Sequence, residues 1–259
     1  MAAVVCDIDG VVLRDNRPLA GAMEFTRRLV EEQIPFLFLT NFPSQTPEDL
    51  RNRFLDAGLD VPAERFYTSA MATSEFLRDQ AGDARKVYVI GEGALVHALY
   101  DSGFIQSDSD ADFVVLGETQ SYNFDMIQRA ALLIRGGARF IATNPDVAGP
   151  FGRPACGALA APIERITGKA PFYVGKPNAI MMRAALRHMR AHSEEAWMVG
   201  DNMETDIIAG IQTGMRTVLV LSGVSQATDL PRYAYRPHHV VSDVSEVLPL
   251  IERFAAASS

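Results

Sequence analysis

One order of local patterns, met several times along this chain without any internal sequence repeat, limits its fold more than anything else. A short apolar run comes first, then a polar or acidic cluster, then a stretch of helical periodicity. Residues 2–6 lead into Asp7-Ile8-Asp9-Gly10 and a helical pattern over 21–33, and residues 35–39 lead into Thr40-Asn41. A helix over 46–57 opens with Thr46-Pro47-Glu48, where threonine caps and proline takes the first helical position. Another is expected over 69–80. Strands alternating with helices define an α/β protein whose parallel sheet carries helices on its faces. In such sheets ligands gather beyond the carboxyl ends of the strands, where these polar clusters fall.

A polar break at Gln80-Ala81-Gly82-Asp83 opens a second α/β set. Its strands are expected at 86–90, 112–116, 139–142 and 171–174, and its helices at 94–101, 123–135 and 158–167. After Gly175-Lys176-Pro177 the first pattern resumes: a helix over 179–191, a strand over 196–199 closed by Gly200-Asp201, a helix over 206–213, a strand over 217–221, and a last strand and helix over 240–255. The organisation expected is therefore a core of residues 1–80 and 175–259 with an α/β domain, 81–174, inserted.

Composition removes several function classes. With 259 residues, 48% hydrophobic and 22% charged, the chain has enough apolar surface to fold and is not a disordered protein. A net charge of −8 argues against a nucleic-acid polymer as partner, because phosphate backbones are bound by basic surfaces. Two cysteines, Cys6 and Cys156, are too few for a disulfide scaffold or a tetrathiolate zinc site. The apolar stretches, such as 34–39, fall well short of the ~20 residues a bilayer requires. Met1-Ala2-Ala3 lacks the basic start and apolar run of a signal peptide. A cytoplasmic location without a membrane partner is expected.

The chemistry lies in the clusters. Asp7 and Asp9, at i and i+2, leave a strand on one side, and Gly10 lets the backbone turn. An unperturbed aspartate titrates near ~3.9, so Asp7 is a ready nucleophile, able to attack phosphorus and form an aspartyl-phosphate. Asp9 is suited to protonate a departing alkoxide if its surroundings raise its pKa. Taken alone, D-x-D-G equally describes a solvated turn. A second acidic cluster, Val199-Gly200-Asp201-Asn202 with Asp206 five positions on, adds carboxylates that repel unless a cation sits among them; an all-oxygen set suits Mg²⁺. Asp206 also suits a helix N-terminus without any metal. Thr40 and Asn41 offer donors for a phosphoryl group, and Lys176 offers a point charge. Singly these are ordinary turn and loop residues; it is their consistent placement after successive strands that points to phosphate.

These residues resemble the haloacid dehalogenase-like phosphatase superfamily, whose four motifs correspond to Asp7-Ile8-Asp9-Gly10-Val11, Leu39-Thr40-Asn41, Gly175-Lys176-Pro177 and Gly200-Asp201-Asn202-Met203-Glu204-Thr205-Asp206. Stretches 40–54, 67–77, 91–104, 140–146, 154–159 and 220–225 are similar to its NagD-type nucleotidase branch. The resemblance implies a Rossmann-like core with a class II cap inserted between the second and third motifs. It also implies Mg²⁺-dependent hydrolysis of small phosphorylated metabolites, with nucleoside monophosphates such as UMP favoured. Asp7 is then similar to the nucleophile and Asp9 to the acid/base residue. Mg²⁺ would lie on the Asp7 carboxylate, the Asp9 backbone carbonyl and the Asp201 carboxylate, with Asp206 acting through water or behind the ligands. Thr40, Asn41 and Lys176 would hold the phosphoryl group, and Asn202, Met203, Glu204 and Thr205 would line the substrate side. Thr143, Asn144 and Asp146 are candidate cap contacts, with an Asx turn before Pro145 as the alternative. Residues 147–153 depart from the family pattern. Other substrates on the same core are sugar phosphates or pyridoxal phosphate; a phosphotransferase and a non-catalytic phosphoacceptor module are the competing functions.

Other signals are weaker. Gly91-Glu92-Gly93 resembles the start of a dinucleotide fingerprint but has Val96 where the third glycine belongs, so a tight turn is expected. His188 and His192 would share a solvated helix face, Cys156 is expected to serve packing, and Arg27, Arg28, Arg51 and Arg53 are expected on solvated helix faces.

Overall fold

The computed structural model describes residues 2–149 and 152–257; Pro150 and Phe151, in the stretch that departs from the family pattern, lie outside the described residues. The chain forms two compact units, one of Met1–Thr40, Pro47–Tyr67 and Met182–Ser259, the other of Asn41–Thr46 and Thr68–Met181.

The first unit opens with β1 (Ala3–Asp7), the short hairpin β2 (Leu13–Arg14) and β3 (Arg17–Pro18), α1 (Ala22–Glu31), β4 (Phe36–Thr40), α2 (Pro47–Asp56) and β5 (Phe66–Thr68). The second unit contains α3 (Ser69–Gln80), β6 (Lys86–Ile90), α4 (Gly93–Asp101), β7 (Ile105–Gln106), β8 (Phe113–Leu116), α5 (Phe124–Arg135), β9 (Arg139–Ala142), α6 (Cys156–Thr167) and β10 (Phe172–Tyr173). After α7 (Ala179–Met189) the first unit is completed by β11 (Ala196–Gly200), α8 (Ile208–Thr213), β12 (Arg216–Val220), β13 (His239–Val241) and α9 (Val247–Ala257).

The first unit's sheet has the order β13-β12-β11-β1-β4-β5. β1 runs parallel to both neighbours, with Cys6 opposite Val199 and Asp7 opposite Leu39. All of β4 and the first four residues of β1 are buried, which is why they read as unbroken apolar runs: a parallel strand covered on both faces has no polar side. On α1 the buried Ala22, Phe25, Thr26 and Leu29 recur at i, i+3, i+4 and i+7, the stripe that faces a sheet. Three phenylalanines tie β4, α2 and β5 together, with ring centroids 5.1 Å apart for Phe38–Phe54 and 4.8 Å for Phe54–Phe66. The second unit's sheet, β10-β9-β8-β6-β7, is parallel in the same way, with Val114, Leu116, Ile134, Phe140 and Ile163 in its core.

The α/β class is as expected, and the elements differ from the sequence reading in a few places. β5, β7 and the β2–β3 hairpin carry only two or three residues each, too few for periodicity to register. The expected 179–191 helix stops at Met189, with Arg190 in the left-handed region at φ 53°, so His192 leaves the helix and shares no face with His188. The His188 ring instead lies against Tyr67, centroids 4.9 Å apart. Residues 41–46, 68–80 and 175–181 group with the second unit, although the sequence reading begins the inserted domain at 81 and ends it at 174; α3 packs on α4, and Phe76 stacks on Phe172 at 5.1 Å. Among the described residues no helix is long and apolar enough to cross a membrane.

Phe54 is fully buried between two aromatic rings. Phe54→Ala should therefore destabilise the protein by about 3–5 kcal/mol, read as a lowered midpoint in urea with an unchanged slope.

Candidate active site

In the first unit the parallel pairing of β1 with β11 sets two acidic segments side by side. Asp7 ends β1, and Asp201 follows β11 directly. Asp206 arrives from a single π-helical turn, Met203–Ile207, rather than from the first turn of a regular helix as expected. Each of these three residues offers a carboxylate oxygen, and the three oxygens lie within 4.8 Å of one another. Asp201 and Asp206 are buried, at 3% and 0% exposure.

The backbone holds this arrangement. Asp201 Oδ2 accepts the Val224 N–H at 2.7 Å, and the Asp201 carbonyl accepts the Ser225 N–H at 2.9 Å. Ser225 Oγ accepts the Met203 N–H at 3.0 Å, and Asp206 Oδ2 accepts the Asn202 N–H at 3.1 Å. Space is as tightly set as hydrogen bonding: a Cβ on Gly10, whose φ is +84°, or on Gly223 would fall inside the Asp201 carboxylate. The hard, all-oxygen donor set, its burial and the close spacing fit Mg²⁺ rather than a softer metal that takes nitrogen or sulfur ligands.

Around this centre the expected residues divide. Asp9 lies just past β1, half exposed, and Thr40 ends β4 with 5% exposure. Asn202 caps the π-helical turn, its Oδ1 accepting the Glu204 N–H at 2.9 Å. Glu204 is exposed, takes the Tyr233 hydroxyl at 3.2 Å, and is followed by the half-buried Thr205. Met203, expected on the substrate side, has its side chain fully buried with Ile207 and Leu219.

The second unit gathers the remaining candidates around Asn41. Its amide nitrogen donates to the Lys176 carbonyl at 2.9 Å and to Asp146 Oδ2 at 3.0 Å, while Oδ1 accepts the Lys176 N–H at 2.8 Å. Lys176 is 2% exposed. Asn144 donates to the Asn41 carbonyl at 2.8 Å, and its Oδ1 accepts the Asp146 N–H at 3.1 Å, the Asx turn that was the alternative. Thr143 and Asn144, expected as cap contacts, are fully buried: Asn144 braces Asn41 and Asp146, and Thr143 Oγ1 accepts the Asn144 amide at 3.2 Å. Only Asp146 of that trio is partly exposed.

Several residues escaped the sequence reading. Arg53, expected on a solvated face, has a side chain only 16% exposed and places Nη2 2.6 Å from Asp9 Oδ1; its spacing on α2 gave no hint, because the partner lies 44 residues away. Glu118 sits beside Asn144, 3.4 Å from its amide, and burial pushes its carboxyl above the usual range. Cys156 does serve packing, fully buried, its thiol pushed up to about 11 by desolvation.

Comparison with known proteins decides the family. A haloacid dehalogenase-like hydrolase model matches residues 4–105, and a second, HAD-hydrolase-like model matches 173–247. The chain is 55% identical over 244 residues to the ribonucleotide monophosphatase NagD of Escherichia coli, covering 94% of this chain and 97% of that protein. The chain belongs to the haloacid dehalogenase-like hydrolases, on their NagD-type phosphatase branch. It is also 46% identical to the dihydroxyacetone phosphatase of Corynebacterium glutamicum, over 93% of this chain and 88% of that one. The solved structure of NagD from E. coli K-12 superimposes with a TM-score of 0.92 at 54% identity, covering 95% of this chain and 98% of that chain. As a member of this phosphatase branch the chain is a phosphoric monoester hydrolase.

Burial gives Glu118 a pH signature. Its folded-state pKa lies above the unfolded value, so the folded protein binds more protons and this contribution to stability, full below pH ~4.5, is lost as pH rises through the folded pKa. In thermal melts across pH 4–8, Glu118→Gln should remove that decline, so the melting-temperature advantage of the variant over the parent grows with pH.

Proposed function

We propose that this hydrolase is a Mg²⁺-dependent phosphatase of small phosphate monoesters, nucleoside monophosphates such as UMP above all, working through an aspartyl-phosphate on Asp7. The observation that carries the reading is the cluster of Asp7, Asp201 and Asp206 oxygens within 4.8 Å, two of the carboxylates almost fully buried. Charges so placed repel strongly unless a cation shares them. The Asp7 and Asp201 carboxylates and the Asp9 carbonyl would hold the ion, with Asp206 acting through water or fixing the turn behind it. When bound, Mg²⁺ offsets negative charge on the phosphoryl oxygens.

The chain's own groups divide the remaining work. Asp7 attacks phosphorus in line while the ester oxygen departs. Asp9 gives that oxygen a proton, then takes one from the water that opens the phosphoaspartate, so Asp7 ends as it began. Thr40 and Asn41 orient the phosphoryl oxygens, and Lys176 balances their charge. Asn202, Glu204 and Thr205 line the substrate side, and Asp146 is the candidate contact from the inserted domain, with 1–80 and 175–259 as the catalytic core and 81–174 as the cap. Identity of 55% to a ribonucleotide monophosphatase supports nucleotides as substrates, and 46% identity to a dihydroxyacetone phosphatase supports a small sugar phosphate as the second reading.

Phosphate release should be measured across nucleotides, sugar phosphates and pyridoxal phosphate. Chelation should abolish turnover and added Mg²⁺ should restore it; activity indifferent to chelator would remove the metal from the reading. Asp7→Asn should lose turnover by at least ~10³-fold and form no acid-stable, base-labile phosphoprotein. A phosphoenzyme that decays only on adding an organic acceptor would make the protein a phosphotransferase, and one that persists in water would make it a phosphoacceptor module.

A further inference from the structure

Asp9 is held from outside its own turn. The backbone around it is pinned: Gly10 N–H donates to the Leu13 carbonyl at 2.8 Å, and Val12 and Leu13 donate to the Ile8 carbonyl at 2.9 and 3.0 Å. What remains free is the Asp9 side chain, and Arg53 reaches it from α2. Nη2 meets Asp9 Oδ1 at 2.6 Å, while Nη1 stands 3.5 Å from Oδ2, the outer limit of a hydrogen bond. The grip is therefore lopsided, with one oxygen anchored and the other left available. The guanidinium is itself fixed by a third contact, Nε to Asn16 Oδ1 at 2.7 Å. Asn16 sits at the tip of the β2–β3 hairpin, where Asp15 and Asn16 both take positive φ (50° and 60°), the pattern of a tight two-residue turn that asparagine tolerates.

An exposed ion pair contributes little and imposes little geometry. This one differs in that the arginine is only 16% exposed and has its donors committed on two sides, while the aspartate, 43% exposed, opens to solvent. We propose that Arg53 is a positioning residue for the phosphatase reaction: by anchoring Asp9 Oδ1 it aims Oδ2 as the atom that gives a proton to the leaving oxygen and later takes one from water. The proposal rests on the acid/base role given to Asp9 above. Lysine would keep the charge but lose the planar fork that fixes two partners at once.

The test uses the dependence on leaving group. The quantity kcat/KM reports the steps up to departure of the ester oxygen, which needs a proton when it is the 5′-oxygen of UMP and none when it is p-nitrophenolate. In Arg53→Gln, kcat/KM for UMP should fall about 10–100-fold, within the range of general acid catalysis, while that for p-nitrophenyl phosphate changes less than about 3-fold. Arg53→Lys should fall between parent and Arg53→Gln, and Asn16→Ala should show the same selectivity more weakly. These two variants carry the test if Arg53→Gln does not fold, as judged by circular dichroism. Equal losses on both substrates, or no loss on either, would overturn the proposal. Asp9→Asn run alongside separates the two layers. If it discriminates between the substrates and the Arg53 and Asn16 variants do not, the positioning role alone is wrong; if Asp9→Asn itself fails to discriminate, the acid/base reading of Asp9 falls and the positioning role with it.

Discussion

Everything in the first unit is arranged around a repulsion. Three carboxylates converge at the ends of β1 and β11, and like charges this close repel unless a cation shares them. Buried hydrogen bonds to charged acceptors are among the stronger ones available, and here main-chain N–H groups of Asn202 and Val224 supply them. The strands beneath are apolar on both faces, so the sheet cannot slide to relieve the crowding without exposing Val4, Cys6, Phe38 or Val199. A stiff apolar sheet thus holds the acidic edge in place, the edge proposed above to take a cation and a phosphate ester.

The second unit solves a different problem with the same kind of chemistry. Asn41 satisfies both polar ends of the Lys176 peptide and still reaches Asp146, while Asn144 returns a hydrogen bond to the Asn41 carbonyl. An asparagine suits this post because its amide carries donors and an acceptor on one small planar group. The result fixes the backbone of Lys176 and the side chain of Asp146 through residues that are themselves out of solvent's reach, Thr143 and Asn144. Among these groups the half-buried Glu118 is held partly toward its neutral form by the loss of solvent, a consequence of bracing a polar cluster inside a hydrophobic layer.

Much of this was legible in the residues. β6, β9 and α3 fall on the residues the pattern assigned, because short apolar runs bounded by polar or glycine-containing breaks, and a longer stretch between two such breaks, mark their own ends. The acidic positions Asp7, Asp201 and Asp206 were recognisable because they sit directly after such strands. The burial of Met203, Thr143 and Asn144 was not legible for one reason: each adjoins a motif, and nothing local distinguishes a side chain that turns outward from one that turns beneath its own loop. Gly223 and Ser225 lay in a stretch similar to the family, yet their work, making room for Asp201 and bonding Met203, depends on a loop folding back across 22 residues.

By itself, the order of residues determined the alternation of strand and helix, the placement of polar clusters at strand ends, and the supply of carboxylate oxygens and hydrogen-bond donors there. These follow from covalent neighbours, from burial of apolar runs and from the fixed handedness of strand–helix–strand connections. Only the tertiary structure decided which carboxylates share a space, which arginine grips Asp9, and which polar side chains brace and which face outward. Those choices depend on distances between segments far apart along the chain, and through-space contact is a property that no local pattern of residues contains.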